Sequence, residues 1–347
     1  MAFDLLARLR MRNPIVLAPM GGGPGTPLLA AAVANAGGLG SLAGGYLTPA
    51  QIAADVDQTR QLTSGPLCVN LFAGGYHRNV DRDPQPMLRI LSGVHRELEL
   101  PEPRLPEVPP DPFDAQLEAV LRAKLDAFSF TFGIPSEEAL RALRAENILT
   151  IGTATTEHEA VLLADAGIDA IVAQGSEAGA HRGTFAGPVA DALIPTFDLV
   201  RGIAQRVTPP VIASGGIMTG GDIAEALAAG AMAVQLGTAF LACPEAGTAP
   251  AYRDALLRGT GEATTITRAF SGRAARGLRN RFIELLDGRE DAILPFPVQN
   301  SLTRPMRASA AARGNPGYLS LWAGTGVGRI RPMPAADLMA TLLAELR

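Results

Sequence analysis

The sequence predicts an α/β protein, a (β/α)8 TIM barrel with a smaller helical lid inserted after its eighth strand. The first observation behind this is a count of eight short apolar segments bounded by turn residues, at 15–18, 38–42, 67–72, 127–131, 148–152, 170–173, 211–214 and 233–236. The second is that Ala- and Leu-rich stretches with helical spacing lie between most of them, the alternation that builds a parallel sheet. The third is composition. Apolar residues make up 47% of the chain and aromatics only 5%, so the core must be built from Ala, Val, Leu and Ile, as suits helices packed closely on parallel strands. Eight strands point to closure, although a doubly wound open sheet is the alternative, because counting strands does not close a ring. At 347 residues the chain falls within the range of one barrel with insertions.

Each element follows from local chemistry. Thr26 caps a helix over 26–36, with Pro27 at the first helical position where its missing N–H costs nothing. Ser136 caps a second over 136–146, and 155–166 and 221–229 repeat the pattern. Three helices end in a near-repeat that leads into a strand: Ala36-Gly37, Ala166-Gly167 and Ala229-Gly230. The glycine is read as a left-handed cap. A helix over 86–99 gives way to 101–112, whose six prolines make it an extended connection. From Cys243 to about Leu294 the chain reads as helical and polar, without an apolar strand. The expected division is therefore a barrel from 1–243 plus 289–347, with a lid over its mouth at 244–288. The tail from Pro295 would return to the barrel and end in a helix over 335–345.

Composition excludes several partners. A net charge of −4 without a basic patch speaks against nucleic acid and anionic membrane. Cys68 and Cys243 lie far apart in apolar surroundings, with no metal spacing, and read as buried free thiols. The start Met1-Ala2-Phe3-Asp4 lacks the features of a signal peptide, and Gly and Pro break every long apolar run. The expectation is a soluble cytoplasmic protein, a monomer or a homodimer.

The chemistry gathers in loops at strand ends. Gln174-Gly175-Ser176-Glu177-Ala178-Gly179-Ala180-His181-Arg182-Gly183 follows the sixth strand and holds His181, the only one of four histidines in such a loop. The seventh strand ends in Ser214-Gly215-Gly216, with a helix start soon after, at Thr219-Gly220-Gly221-Asp222. Paired glycines let backbone N–H groups approach a phosphate, and the helix dipole favours the dianion. The eighth strand adds a second small loop, Gln235-Leu236-Gly237-Thr238. Asn70, Gln174 and the small residues at Pro19, Met20 and Gly21 suit a flat heterocycle that both donates and accepts, as a flavin edge does. No strand-GxGxxG-helix with a downstream acid is present, so the mononucleotide FMN fits better than a dinucleotide.

On these motifs the chain resembles the nitronate monooxygenases of class I type, formerly called 2-nitropropane dioxygenases. The matching stretches are 14–22, 26–40, 69–72, 174–183, 210–238, 267–282, 296–307 and 322–326. The resemblance implies an FMN-bearing barrel without a metal. It implies oxidation of alkyl nitronates, such as propionate 3-nitronate, by O2 to a carbonyl compound and nitrite through an anionic flavosemiquinone. By motif, Pro19, Met20 and Gly21 would line the flavin, and Asn70, Gln174 and Gly179 would touch its ring or ribityl chain. Gly215, Gly216, Gln235, Leu236, Gly237 and Thr238 would hold ribityl and phosphate. His181 matches the family's active-site histidine, a base toward neutral nitroalkanes and, toward nitronates, a group that orients the nitro oxygens. One position departs: Phe296 stands where the family pattern has a tyrosine, which predicts a shift toward less polar nitronates.

Other residues have blander expectations. His77, His95 and His158 read as surface histidines, and Glu177 as a loop cap or a partner of Arg182 or His181. The five arginines of 268–281 either face an acidic substrate or pair with Glu284 and Asp287 on a solvated helix. The rival readings are an NAD(P)H-dependent flavin reductase acting on quinones or enoyl thioesters, and a flavin-binding barrel without turnover.

Overall fold

The computed structural model describes residues 4–76 and 82–346; His77 lies outside them. The chain opens on a short helix, α1 (Leu5–Arg8), and then alternates through β1 (Ile15–Leu17), α2 (Pro27–Asn35), β2 (Gly40–Ala43), α3 (Pro49–Leu62) and β3 (Leu67–Phe72). Next come α4 (Gln85–Glu97), α5 (Phe113–Arg122), β4 (Ala127–Thr131), α6 (Glu137–Ala145), β5 (Leu149–Ala154), α7 (Glu157–Asp165) and β6 (Ala170–Gln174). After a two-residue strand, β7 (Ala180–His181), follow α8 (Thr196–Ala204), β8 (Val211–Ser214), α9 (Gly220–Ala228) and β9 (Ala233–Leu236). The eight longer strands pair in parallel in the order β1-β9-β8-β6-β5-β4-β3-β2. The ring shuts at Leu39, whose carbonyl accepts from the Leu17 amide at 2.9 Å and whose amide donates to Ile15 at 3.0 Å. The expected (β/α)8 barrel is the fold.

The expected caps are present. Thr26 and Ser136 accept from the amides of Leu29 and Ala139, and the glycines Gly37, Gly167 and Gly230 take φ of 93°, 74° and 108°. Only glycine reaches that region without a Cβ penalty, so each helix stops and the next strand starts at once.

Alternation along the strands builds two layers inside the ring. The lower layer is apolar: Val16, Cys68, Ala127, Ile151, Val172, Ile212 and Ala233 meet Leu5 and Leu9 of the N-terminal segment, which plug that end. Two residues further along, the same inward positions carry Asn70, Ser129, Gln174, Ser214 and Gln235. Asn70 stands in register with Ser129, Gln174 with Ser214, and Ser214 with Gln235. A period of two thus places a polar floor at the C-terminal mouth, above a dry plug.

Beyond β9 the expectation of a purely helical lid is corrected. The elements are α10 (Pro250–Arg258), β10 (Thr264–Thr267), β11 (Ala275–Leu278), α11 (Arg281–Glu284), α12 (Val298–Leu302), α13 (Arg304–Ala312) and α14 (Ala335–Leu346). β10 and β11 pair antiparallel, and β11 pairs also with β7, which carries His181. Thr264-Thr265-Ile266-Thr267 is β-branched throughout but mostly polar, so a search for apolar runs passes over it.

A second apolar core holds this part together. It joins Tyr252, Leu256, Phe270, Phe282, Val298, Met306, Tyr318 and Val327 to Met87, Leu91 and Val94 of α4. Residues beyond 288 therefore pack with this unit, and the chain returns to the barrel core with Ala335, Leu338, Met339 and Leu342 of α14. The prolines of 101–112 connect α4 to α5 without regular structure, as expected. His95 is corrected from surface to buried: it lies on the inner face of α4, 3% exposed, with Nδ1 at 2.5 Å from the Pro101 carbonyl. His158 is exposed, as expected. Both cysteines are buried, and burial pushes each thiol up to about 12. Among the described residues no helix is long and apolar enough to cross a membrane.

Candidate active site

A cavity of about 570 Å3 lies over the polar floor, between the strand ends and the second unit. Its wall includes every residue expected at the flavin or the reaction, though not Phe296: Pro19, Met20 and Gly21; Asn70; Gln174, Gly179 and His181; Gly215 and Gly216; and Gln235, Leu236, Gly237 and Thr238. Among the described residues no aspartate, glutamate or lysine lines it.

On one side stand the glycine loops. Gly215 and Gly216 take φ of 128° and 71°. Their carbonyls are drawn away from the cavity, Gly215 by the Thr196 hydroxyl at 3.1 Å and Gly216 by Arg329 at 2.8 Å. That leaves a bare turn with N–H groups for an anionic group. Gly237 sits beside Ala18 on the next strand, where a Cβ would come within 3.3 Å of the Ala18 methyl. This cradle of bare backbone fits a phosphate-bearing cofactor. Asn70 donates to Ser129 Oγ at 3.0 Å, which turns its amide nitrogen into the floor.

His181 is fixed from two sides. Ala180, at φ 62°, turns the chain so that His181 pairs with Ala275 of β11. Its Nε2 lies 2.8 Å from Ser271 Oγ, and its ring lies 6.1 Å from Phe132 and 5.6 Å from Trp322. Burial, then the nearby Arg273 and Arg307 guanidinium groups, push the imidazole down to about 3. It is neutral at any physiological pH.

The loop around it is tied by buried polar groups. Gln174 donates to the His181 carbonyl at 3.0 Å and accepts from the Gly183 amide at 2.8 Å, so both ends of its amide grip the loop. Arg182 donates to the carbonyls of Gly175, Gln174 and Ala192. Glu159, fully buried, accepts from Thr155 and from the amides of Phe185 and Ala186. Glu177 pairs with neither Arg182 nor His181; it accepts from the Thr196 amide and hydroxyl and so caps the loop against α8.

The arginines of 268–281 divide. Arg279 pairs with Asp287 and Arg281 with Glu97 at the surface. Arg273 is half-buried, donates to the Gly74 and Gly75 carbonyls, and lies 3.8 Å over the Phe132 ring. The expected helix there is replaced by a turn and β11.

The wall also holds residues that the sequence reading did not single out: Tyr46, Phe132, Ser271, Asn300, Arg304, Arg307 and Trp322. A signal for Tyr46 existed, since it follows β2 directly, at a strand's C-terminal end. Arg304, Arg307, Ala308 and Ala311 share one face of α13 and line the cavity together.

Known proteins share this architecture. The family model described as nitronate monooxygenase matches residues 4–345. A probable nitronate monooxygenase of Staphylococcus aureus (strain Newman) is 38% identical over 343 residues, covering 99% of this chain and 96% of that one. A solved structure of a nitroalkane oxidase from Streptomyces ansochromogenes superposes with TM-score 0.90 at 40% identity, over 98% of this chain and 97% of that one. FabK from Thermotoga maritima superposes with TM-score 0.78 at 27% identity, over 100% and 96%.

Proposed function

The chain belongs to the nitronate monooxygenase family, and from that premise we propose that it oxidises alkyl nitronates, propionate 3-nitronate among them, with O2 to a carbonyl compound and nitrite. The cofactor in this reading is FMN, which supplies the electron acceptor when bound. Gly215, Gly216 and the 235–238 loop would hold its phosphate and ribityl chain, and Asn70, Gln174, Gly179 and the 19–21 turn its ring system.

One observation carries the choice of a nitronate over a neutral nitroalkane: His181 is half-buried at the cavity wall beside cations and bonded to Ser271. Burial and neighbouring guanidinium groups disfavour protonation of this imidazole, which favours a substrate that arrives already ionised. The neutral ring then orients the nitro oxygens, while Phe132 and Trp322 exclude water from around it. A cavity lined by arginine and, among the described residues, by no carboxylate suits an anion.

The test is oxygen uptake and nitrite release by the yellow holoenzyme. Ethyl nitronate should support both, and nitroethane at equal concentration neither until it ionises. Turnover that needs NADH or NADPH, without nitrite, would instead make the protein a flavin reductase on the same barrel.

A further inference from the structure

Tyr46 and Arg307 line the same cavity as His181. Tyr46 follows β2, packs edge-on against Phe72 with ring centroids 5.1 Å apart, and lies 6.5 Å from Phe296. Its hydroxyl makes no hydrogen bond among the described residues. Burial raises its pKa and outweighs the Arg307, Arg273 and Arg304 guanidinium groups, which lower it, so the phenol keeps its proton. Arg307 donates to the Asn300 carbonyl and side-chain oxygen at 2.7 and 2.9 Å, and its Nε is buried with no partner. Arg273 Nε is likewise buried and unpartnered. A donor left unmade costs free energy, and among the described residues no carboxylate lines this cavity, so an anion placed beside Tyr46 would give its hydroxyl an acceptor.

Resting on the nitronate reading, we propose that Tyr46 and Arg307 form the oxyanion-recognition site of this cavity. They take the two oxygens of the reacting nitronate as hydrogen-bond acceptors, and so select the ionised substrate over its neutral acid. His181, already bonded to Ser271, contributes orientation rather than charge. Phe72, Phe132 and Phe296 surround the site with apolar surface, which strengthens each donor–oxyanion contact by keeping water out. The phenol at 46 thereby supplies the donor that Phe296 lacks.

Trp322 is the only tryptophan of the chain and stands 5.6 Å from His181, so its emission reports binding without turnover. Anaerobic titrations of the holoenzyme with nitrate (a planar oxyanion) and with neutral nitroethane are compared for the parent, Tyr46→Phe and Arg307→Lys. KM and kcat for ethyl nitronate are measured in parallel. Loss of a donor to a charged acceptor predicts roughly tenfold to a hundredfold weaker nitrate binding and a matching rise in KM for Tyr46→Phe. Nitroethane binding should be unchanged. Arg307→Lys, which keeps the charge but loses the fork, should show a smaller loss in the same direction. Equal nitrate affinity and equal KM in parent and Tyr46→Phe would overturn the proposal while leaving the nitronate reaction intact. Tyr46-dependent nitrate binding in a protein that releases no nitrite from nitronates would uphold the site and sink the reaction.

Discussion

At the scale of single residues, the proposed reaction turns on His181. His181→Asn should retain flavin, because the glycine loops that would hold it are untouched. Turnover of a nitronate should fall by roughly tenfold to a hundredfold, the loss of one hydrogen bond to a charged group. A stopped assay at saturating nitronate checks this, and unchanged kcat would remove His181 from the reaction. Its depressed pKa also fixes a pH profile. A group neutral above about 3 loses no proton near neutrality, so kcat/KM for a preformed nitronate should show no limb near the ordinary histidine value. A limb near pH 6.5, absent in His181→Asn, would show that the ring titrates in solution as a free histidine does. His181 was legible because its loop lies between a strand end and small residues. Tyr46 and Arg307 were not, since a tyrosine after a strand and an arginine on a helix are common, and only the fold brings them to one wall.

Among the elements, the loop from β6 through β7 depends on a carboxylate far from the chemistry. Glu159 lies in the first turn of α7 and accepts from Thr155, Phe185 and Ala186. Glu159→Ala strands those donors and should cost about 3 kcal/mol in denaturant unfolding, with a rise in KM as the His181 loop loosens. A loss below about 0.5 kcal/mol would mean that the loop is held by Gln174 and Arg182 alone. The barrel elements could be read from the sequence because caps, Ala-Gly ends and apolar runs agree with one another. β10 and β11 could not. Their residues, Thr-Thr-Ile-Thr and Ala-Arg-Gly-Leu, carry no apolar run, and their pairing with β7 joins segments some ninety positions apart: Ala275 opposite His181.

Over the whole molecule, two apolar cores meet across one cavity, and the cofactor of this reading lies between them. Filling that space should stabilise both units. FMN at a hundredfold over its dissociation constant should stabilise the apoprotein by about 2.7 kcal/mol, read as a rise in melting temperature. The absence of any shift would separate the cavity from flavin. The strand count and helix caps announced the barrel, but the boundary of the second unit did not show itself in composition. Its core draws on α4 from the first hundred residues as well as on 241–327, and such long-range packing leaves no local pattern.

The most direct test of the central claim is anaerobic mixing of the yellow holoenzyme with propionate 3-nitronate and, separately, with NADH and NADPH. Reduction of the cofactor by the nitronate alone, followed on admitting air by nitrite release and return of the yellow colour, is the predicted result. Bleaching by a nicotinamide, with the nitronate inert, would contradict it and place the protein among flavin reductases.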